Sequence, residues 1–399
     1  VLYLDLDRFK YVNDQFGHLN GDDLLIKISR GFNKSMREVD TISRFGGDEF
    51  LLLLEGDIKL EEAKEFADRL QELLGKSHDI GGNFVTSTAS IGIVMSDNAY
   101  KIPDEYIRDA DVAMYHAKSN GRGRYEIFTN VLQDVEFQRL NIESDLRRAI
   151  KDNEFIINYQ PIVSLTNNKI TGFEALIRWK SRKSGNIYPN EFIPLAEESG
   201  LIVDLGFWVL FEACKQVHEW QKKYNQSPAL SVNVNISIKQ LIHPDFVGEL
   251  KQILSFLKMT PSNLVLEVKE TIFLKHSNAI SETLTALDKL GVRICLDDFG
   301  FSTSTSKELK KLTVDRIKID RSFVNTDLKE KSASDTILNI VERAGSAKIE
   351  IIAKGIESLE QAILLKNMGC QFGQGFLFNE AQNSIAMEKY IDQYFKIVN

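Results

Sequence analysis

The sequence predicts two α/β domains in tandem, the second a (β/α)8-type barrel, on three observations. Short apolar strands alternate with segments of helical period along the chain. From Phe155 the texture changes to about eight β-rich runs with helical runs between them, over roughly 250 residues, which suits an eightfold barrel. Carboxylates recur at strand ends in both halves, where functional groups concentrate in such folds. A length of 399 residues accommodates two or more domains. The expected boundaries are a first domain over 1–127, a helical linker over 128–150 and the barrel over 151–399.

In the first domain, Leu2-Tyr3-Leu4-Asp5-Leu6-Asp7 reads as an apolar strand with two carboxylates at its end. Residues 9–16 read as a polar turn leading into a helix over 21–32, whose Leu24, Leu25 and Ile28 share a face. Arg44-Phe45-Gly46-Gly47-Asp48-Glu49-Phe50 is the centre of this half. The two glycines allow a tight turn that another molecule can approach closely. Residues 50–54 then run inward as a strand. Adjacent Asp48 and Glu49 repel each other on a rigid tip, and a divalent cation would offset that repulsion. If the two strands are neighbours, Asp5 and Asp48 converge on one ion, as carboxylates do that hold Mg²⁺ against nucleotide phosphates. An amphipathic helix is expected over 60–74, with Ala63, Phe66, Ala67, Leu70 and Leu74 on one face. A strand over 86–95 and a helix over 104–119 follow, closing with Gly121-Arg122-Gly123-Arg124.

In the second domain the candidate strands are 156–158, 170–177, 230–235, 264–268, 292–296, 316–319, 350–353 and 371–373. Their ends carry Glu174, Asn235, Glu267, Asp297-Asp298 and Asp320. So many oxygen donors at the mouth of one barrel call for compensating cations, and a two-metal phosphodiester site is the physical reading.

Bulk properties narrow the classes. A net charge of −8 points away from a general nucleic-acid polymer or anionic-membrane surface. Cys214, Cys295 and Cys370 lack zinc spacing and read as free thiols in a reducing, cytoplasmic compartment. No apolar run is long enough to span a bilayer. The chain opens without Met inside a strand, so a fragment is expected, with an upstream sensor domain and the alternative of a membrane anchor in the missing amino-terminal segments.

Phe9-Lys10-Tyr11-Val12-Asn13-Asp14, Gly17-His18, Gly21-Asp22 and the Gly-Gly-Asp-Glu-Phe turn resemble, in order and spacing from residue 1 to about 125, the GGDEF diguanylate cyclases. The family's opening segment, an Asp-x-Leu-Thr-type motif and a helix, is absent here. The resemblance implies a palm-like nucleotide-cyclase fold, condensation of two GTP into cyclic di-GMP, and a homodimer. It also implies that Asp5, the Leu6 carbonyl and Asp48 hold Mg²⁺ or Mn²⁺, with Glu49 completing the cluster. Asp48 or Glu49 would help deprotonate the 3′-hydroxyl. Lys10 would stabilise phosphate charge, with Lys118 and Arg122 as further contacts. Phe9, Asn13 and Asp22 would form the GTP site, Asn13 and Asp22 reading guanine. Arg37 and Asp40 match the family's Arg-x-x-Asp product-inhibition site, and arginine suits phosphate and guanine. Arg69 is a further candidate for that site.

Tyr159-Gln160-Pro161, Glu174-Ala175-Leu176-Ile177-Arg178-Trp179, the acidic strand ends and Gln374-Gly375 resemble the EAL cyclic di-GMP phosphodiesterases from about residue 146 to 394. The resemblance implies metal ligation by Glu174, Asn235, Glu267, Asp297, Asp298 and Asp320. It implies ligand contacts from Gln160, Arg178 and Gln374, a catalytic Lys318 near the attacking water or metals, and support from Glu270 and Glu357. Two departures stand out. Where the family has Glu-Gly-Val-Glu, this chain has Lys354-Gly355-Ile356-Glu357, so the proposed general base is a cation. Where the family has Thr-Gly-Tyr-Ser-Ser after Phe-Gly, this chain has Phe301-Ser302-Thr303-Ser304-Thr305. The expectation is a product-inhibited cyclase joined to an EAL domain that binds cyclic di-GMP but hydrolyses it poorly. The alternatives are a bifunctional or net phosphodiesterase yielding pGpG, and a non-enzymatic cyclic di-GMP receptor.

Overall fold

A computed structural model describes residues 1–96, 100, 102–300, 313–325 and 331–398. The altered loop at Phe301–Thr305 lies outside the described residues. The chain divides into two units, Val1–Asn141 and Ile142–Asn399.

The strands of the first unit are β1 (Leu2–Leu6), β2 (Thr41–Gly46), β3 (Glu49–Leu53), β4 (His78–Ile80), β5 (Asn83–Val85), β6 (Ala89–Ile93) and β7 (Tyr125–Ile127). The main sheet has the order β2-β3-β1-β6-β7. Strand β1 is central, antiparallel to both neighbours and buried throughout, which its run of leucines permits. The helices are α1 (Phe9–Phe16), α2 (His18–Ser35), α3 (Leu60–Leu74) and α4 (Pro103–Ser119). Residues 9–16, expected as a turn, form α1 because Phe9 and Val12 sit one turn apart and bury together. The β4–β5 hairpin was not anticipated; its turn is Gly81-Gly82, both at positive φ. Leu4, Phe32, Phe50, Leu70 and Ile91 belong to the core.

Helix α5 (Asn130–Lys151) crosses the division between the units. The second unit then contains β8 (Phe155–Ser164), β9 (Ile170–Ser181), β10 (Gly185–Ile187), β11 (Ser231–Asn235), β12 (Leu264–Lys269), β13 (Arg293–Phe299), β14 (Arg316–Ile319), β15 (Glu350–Lys354), β16 (Phe372–Gln374) and β17 (Gln382–Asn383). Eight of these close a barrel in the order β8-β9-β11-β12-β13-β14-β15-β16, with β8 pairing back to β9. Strand β8 runs antiparallel to β9 and β16, whereas the successive pairs from β9 to β16 are parallel. Parallel strands are buried on both faces, and Leu264, Val265, Leu266 and Val268 form such a run. The outer helices include α6 (Pro189–Ser199), α7 (Ile202–Tyr224), α8 (Ile238–Leu241), α9 (Phe246–Leu257), α10 (Glu270–Leu290), α11 (Arg321–Val324), α12 (Lys331–Ala347), α13 (Leu359–Met368) and α14 (Ser384–Val398). A separate apolar cluster packs Leu146 and Ala149 of α5 with Phe155, Trp179 and Phe192. All three cysteines are buried and free. Among the described residues no helix is long and apolar enough to cross a membrane.

Candidate active sites

In the first unit, antiparallel pairing of β1 and β3 sets Asp5 directly opposite Glu49, and the Leu6 amide donates to the Asp48 carbonyl at 3.2 Å. The Gly46-Gly47 turn permits this register because Gly47 takes φ 48°. Lys118 on α4 pairs with Asp5 Oδ2 at 2.7 Å. Burial raises the Asp5 carboxyl to about 6; Lys118 opposes the rise, while Asp48 and Glu49 add to it. Glu49 accepts from the Tyr3 hydroxyl at 3.1 Å. Phe9 is buried at the start of α1, and Lys10 is exposed beside it. Asn13 lies against Gly21, where a Cβ would fall 1.8 Å from its Oδ1. Asp22 is exposed on the next turn. Arg122 is exposed at φ 64° and borders a cleft of about 520 Å³ with Asp7, Arg8, Tyr11 and Gly123. Asp40 accepts from the Arg37 amide at 2.9 Å and the Glu55 amide at 3.1 Å, leaving the Arg37 side chain exposed. Arg69 is exposed on α3 and lies over the Phe66 ring at 5.3 Å.

In the second unit the strand ends converge on two lysines. Lys318, fully buried on β14, reaches Glu174 Oε2 at 2.7 Å and Glu267 Oε1 at 2.5 Å. Glu174 also accepts from Asn235 at 2.9 Å and Gln374 at 2.7 Å, and Gln374 donates to Gln160 at 3.0 Å. Burial and the Glu174 charge push Glu267 above the ordinary carboxylate range. Burial acts on Glu174 in the same direction, but the Lys318 ammonium outweighs it and holds Glu174 low. Lys354, at the end of β15, donates to Asp297 Oδ1 and to Asp298 Oδ1, both at 2.7 Å. Asp298 holds φ 52°, a left-handed backbone rare for a non-glycine residue, and Lys269 stands 3.7 Å from its other oxygen. Asp320 caps α11 by accepting from the Ser322 amide at 2.8 Å. Arg178 is half-buried and donates to the Ile177 carbonyl at 2.8 Å. Glu270 is buried and accepts from the Gly300 amide at 3.3 Å; the Glu357 amide donates to Gln361 at 2.8 Å.

The diguanylate cyclase GGDEF-domain model matches residues 1–124, and the EAL-domain model matches 143–381. The chain is a tandem GGDEF–EAL protein. A bifunctional diguanylate cyclase/cyclic di-GMP phosphodiesterase, MucR of Pseudomonas aeruginosa, is 37% identical over 94% of this chain and 55% of its own length. The cyclic di-GMP phosphodiesterase PdeR of Escherichia coli is 35% identical over 99% of this chain and 59% of its own. The chain therefore spans little more than half the length of these two relatives. A solved structure described as the PaMucR phosphodiesterase in a c-di-GMP complex superposes on 62% of this chain and 99% of its own, at 34% identity and a TM-score of 0.58.

The GGDEF domain offers hard oxygen donors of the type Mg²⁺ or Mn²⁺ takes, Asp5 and the Leu6 carbonyl on β1 and Asp48 in the turn before β3, with the Lys118 ammonium on Asp5 at 2.7 Å as the cation an incoming ion would displace. The EAL domain fits less well. Its Asp297–Asp298 pair is already bridged by an ammonium, and a divalent ion about 4 Å from that charge meets repulsion of about 8 kcal/mol at an effective dielectric of about 20. Among the described residues no group of three or more His, Cys, Asp or Glu is gathered at metal-holding spacing. Sequence reasoning missed Asp7, which accepts from Thr88 at 2.7 Å, Ser90 at 2.8 Å and the Gly123 amide at 2.9 Å, so fixing the turn that carries Arg122. It also missed Asn233, which donates to Glu267 at 2.6 Å. Strand alternation was the available signal: Asp7 follows Asp5, and Asn233 precedes Asn235, by two residues.

Proposed function

We propose that the GGDEF domain condenses two GTP into cyclic di-GMP under product inhibition, and that the EAL domain binds cyclic di-GMP but hydrolyses it poorly. The observation that carries the EAL half is the Lys354 ammonium between Asp297 and Asp298 in a domain whose other named residues persist; the cyclase half is supported by the GGDEF match and by the register that sets Asp5 opposite Glu49. In the cyclase, Asp5, Asp48 and the Leu6 carbonyl would hold Mg²⁺ or Mn²⁺, which when bound supplies positive charge against the triphosphate. Asp48 or Glu49 accepts the 3′-hydroxyl proton, the oxygen attacks the α-phosphorus of the facing GTP, and pyrophosphate leaves. Lys10, Lys118 and Arg122 place charge on the phosphates, and Phe9, Asn13 and Asp22 form the guanine end. Two GTP-loaded domains must face each other, so the active form is a homodimer. Arg37, Asp40 and Arg69 form the inhibitory site for product. In the EAL domain Gln160, Arg178 and Gln374 hold the ligand.

Chromatography of nucleotides after incubation with GTP and Mg²⁺ tests the cyclase reading. Cyclic di-GMP formation that Asp48→Ala removes is the expected result; no product from the intact chain refutes it. A second reading, a net phosphodiesterase, has its own support in the retained Glu174–Lys318–Glu267 network and in the relatives' names. Steady conversion of cyclic di-GMP to pGpG with Mn²⁺ would select it.

A further inference from the structure

We propose that Lys354 is a resident substitute for a divalent cation: its ammonium neutralises the Asp297–Asp298 pair, so the EAL domain takes cyclic di-GMP without metal at that position. This deepens the reading of the EAL domain as a cyclic di-GMP site and rests on it.

Four carboxylates of the acidic rim are held in two pairs, each by one lysine, while Asp320 caps α11. Lys318 joins Glu174 to Glu267, and Lys354 joins Asp297 to Asp298. The second pair is the one that differs in charge logic from a metal site. Two carboxylate oxygens converge on one point, each 2.7 Å from the same nitrogen. An ammonium and a hard metal ion ask for the same donors, oxygen atoms bearing negative charge, and they exclude each other by like charge. The position is built rather than incidental. Asp298 holds a left-handed backbone, a strained conformation for aspartate, at the residue that accepts from Lys354, and Lys354 issues from a barrel strand whose register partner is Gln374, itself bonded to Glu174 and Gln160. An ammonium has three N–H donors, and two are spent on the aspartates. The third can meet a phosphate oxygen of the cyclic dinucleotide, the role a metal ion would otherwise take toward that oxygen. Lys354 thus changes what the site needs, and not only whether it can accept a proton from water.

The test counts bound Mn²⁺ by electron paramagnetic resonance on the full chain carrying Asp48→Ala, which silences the first-domain metal site. In that background we expect no Mn²⁺ that depends on Asp298. Lys354→Met should add one Mn²⁺ per chain, lost again with Asp298→Asn, while Lys354→Arg should stay without it. Asp298-dependent Mn²⁺ in the chain that keeps Lys354, or no gain in a folded Lys354→Met protein, overturns the proposal. Should Lys354→Met fail to fold, the lysine-containing and Lys354→Arg chains still decide, because Asp298-dependent Mn²⁺ in either one refutes the proposal and its absence from both supports it. Calorimetry with cyclic di-GMP, run with Arg37→Ala to remove first-domain binding, separates the underlying reading. Affinity unchanged within about twofold between EDTA and Mn²⁺ is expected. Affinity that requires Mn²⁺ sinks the substitution. No binding under either condition sinks the receptor reading and leaves the metal count standing.

Discussion

Single side chains carry the sharpest tests of the proposed division of chemistry. Replacing Lys354 by Glu removes the cation and supplies a base, and general-base catalysis is worth about 10²–10⁴-fold. Lys354→Glu should therefore raise pGpG formation with Mn²⁺ by about 10²-fold or more; rates equal to those of the unmodified chain would mean the lysine was no obstacle. Asp5 gives a pH dependence with a definite sign. Its folded carboxyl sits at about 6, above its ordinary 3.8, so the folded protein binds that proton more tightly than the unfolded chain does. Its contribution favours the metal-free fold at low pH and is lost as pH rises through about 6. Mg²⁺ must displace that proton, so affinity in the first domain should climb between pH 5 and 7 by at most about tenfold per unit, then level off. Asp5→Asn should remove both the slope and most of the binding, measured by titration of Mg²⁺ at fixed pH. At this scale the sequence named Lys354 as a misfit, since a lysine where a base is needed is visible in one dimension. That it would reach both Asp297 and Asp298 was not visible, because the contact joins β15 to β13 across an intervening strand.

Between elements, close approach is what places the groups. Strand β6 meets α4 at Gly92, where a Cβ would fall 1.9 Å from the Ala110 carbonyl oxygen and 2.4 Å from the Met114 amide. Gly92→Ala should force strand and helix apart and cost about 3 kcal/mol in urea unfolding, near the upper end for overpacking. Because α4 carries Lys118, the KM for GTP should rise with it. Asp7 ties β6 and the Gly123 turn to the end of β1 through three accepted hydrogen bonds. Asp7→Ala leaves those donors unpaired, with an expected loss of about 3 kcal/mol and weaker GTP binding through Arg122. Unchanged stability would show that water replaces the carboxylate there. Periodicity made α3 legible end to end, Leu60–Leu74, since its apolar face repeats cleanly. It failed over 9–16, where polar residues between Phe9 and Val12 masked a helical repeat, and over the short β4–β5 hairpin, whose Gly-Gly turn was the only local signal.

Across the whole molecule, the two chemistries should separate. Asp48→Ala should abolish product formation from GTP while cyclic di-GMP uptake by the EAL domain persists; joint loss would mean that one domain's binding needs the other's active site. The barrel strand at 264–268 was legible within a residue because a parallel strand buried on both faces reads as an apolar run, and 316–319 because Ile317 and Ile319 alternate with Arg316 and Lys318. Strand direction was not legible, since nothing in residues 155–164 says which way they run beside their partners. They run backward. The start of β8, Phe155, is therefore paired with Trp179 near the far end of β9, at the same rim as Arg178. Helix α5 delivers the polypeptide there, with Leu146 and Ala149 seated among those aromatic rings. The chain thus enters this barrel through its doorway rather than its floor. A twist or tug on the carboxyl-terminal turn of that helix, which ends at Lys151, has only about nine residues to travel before it meets Gln160, making the incoming segment a handle fixed to the barrel's rim.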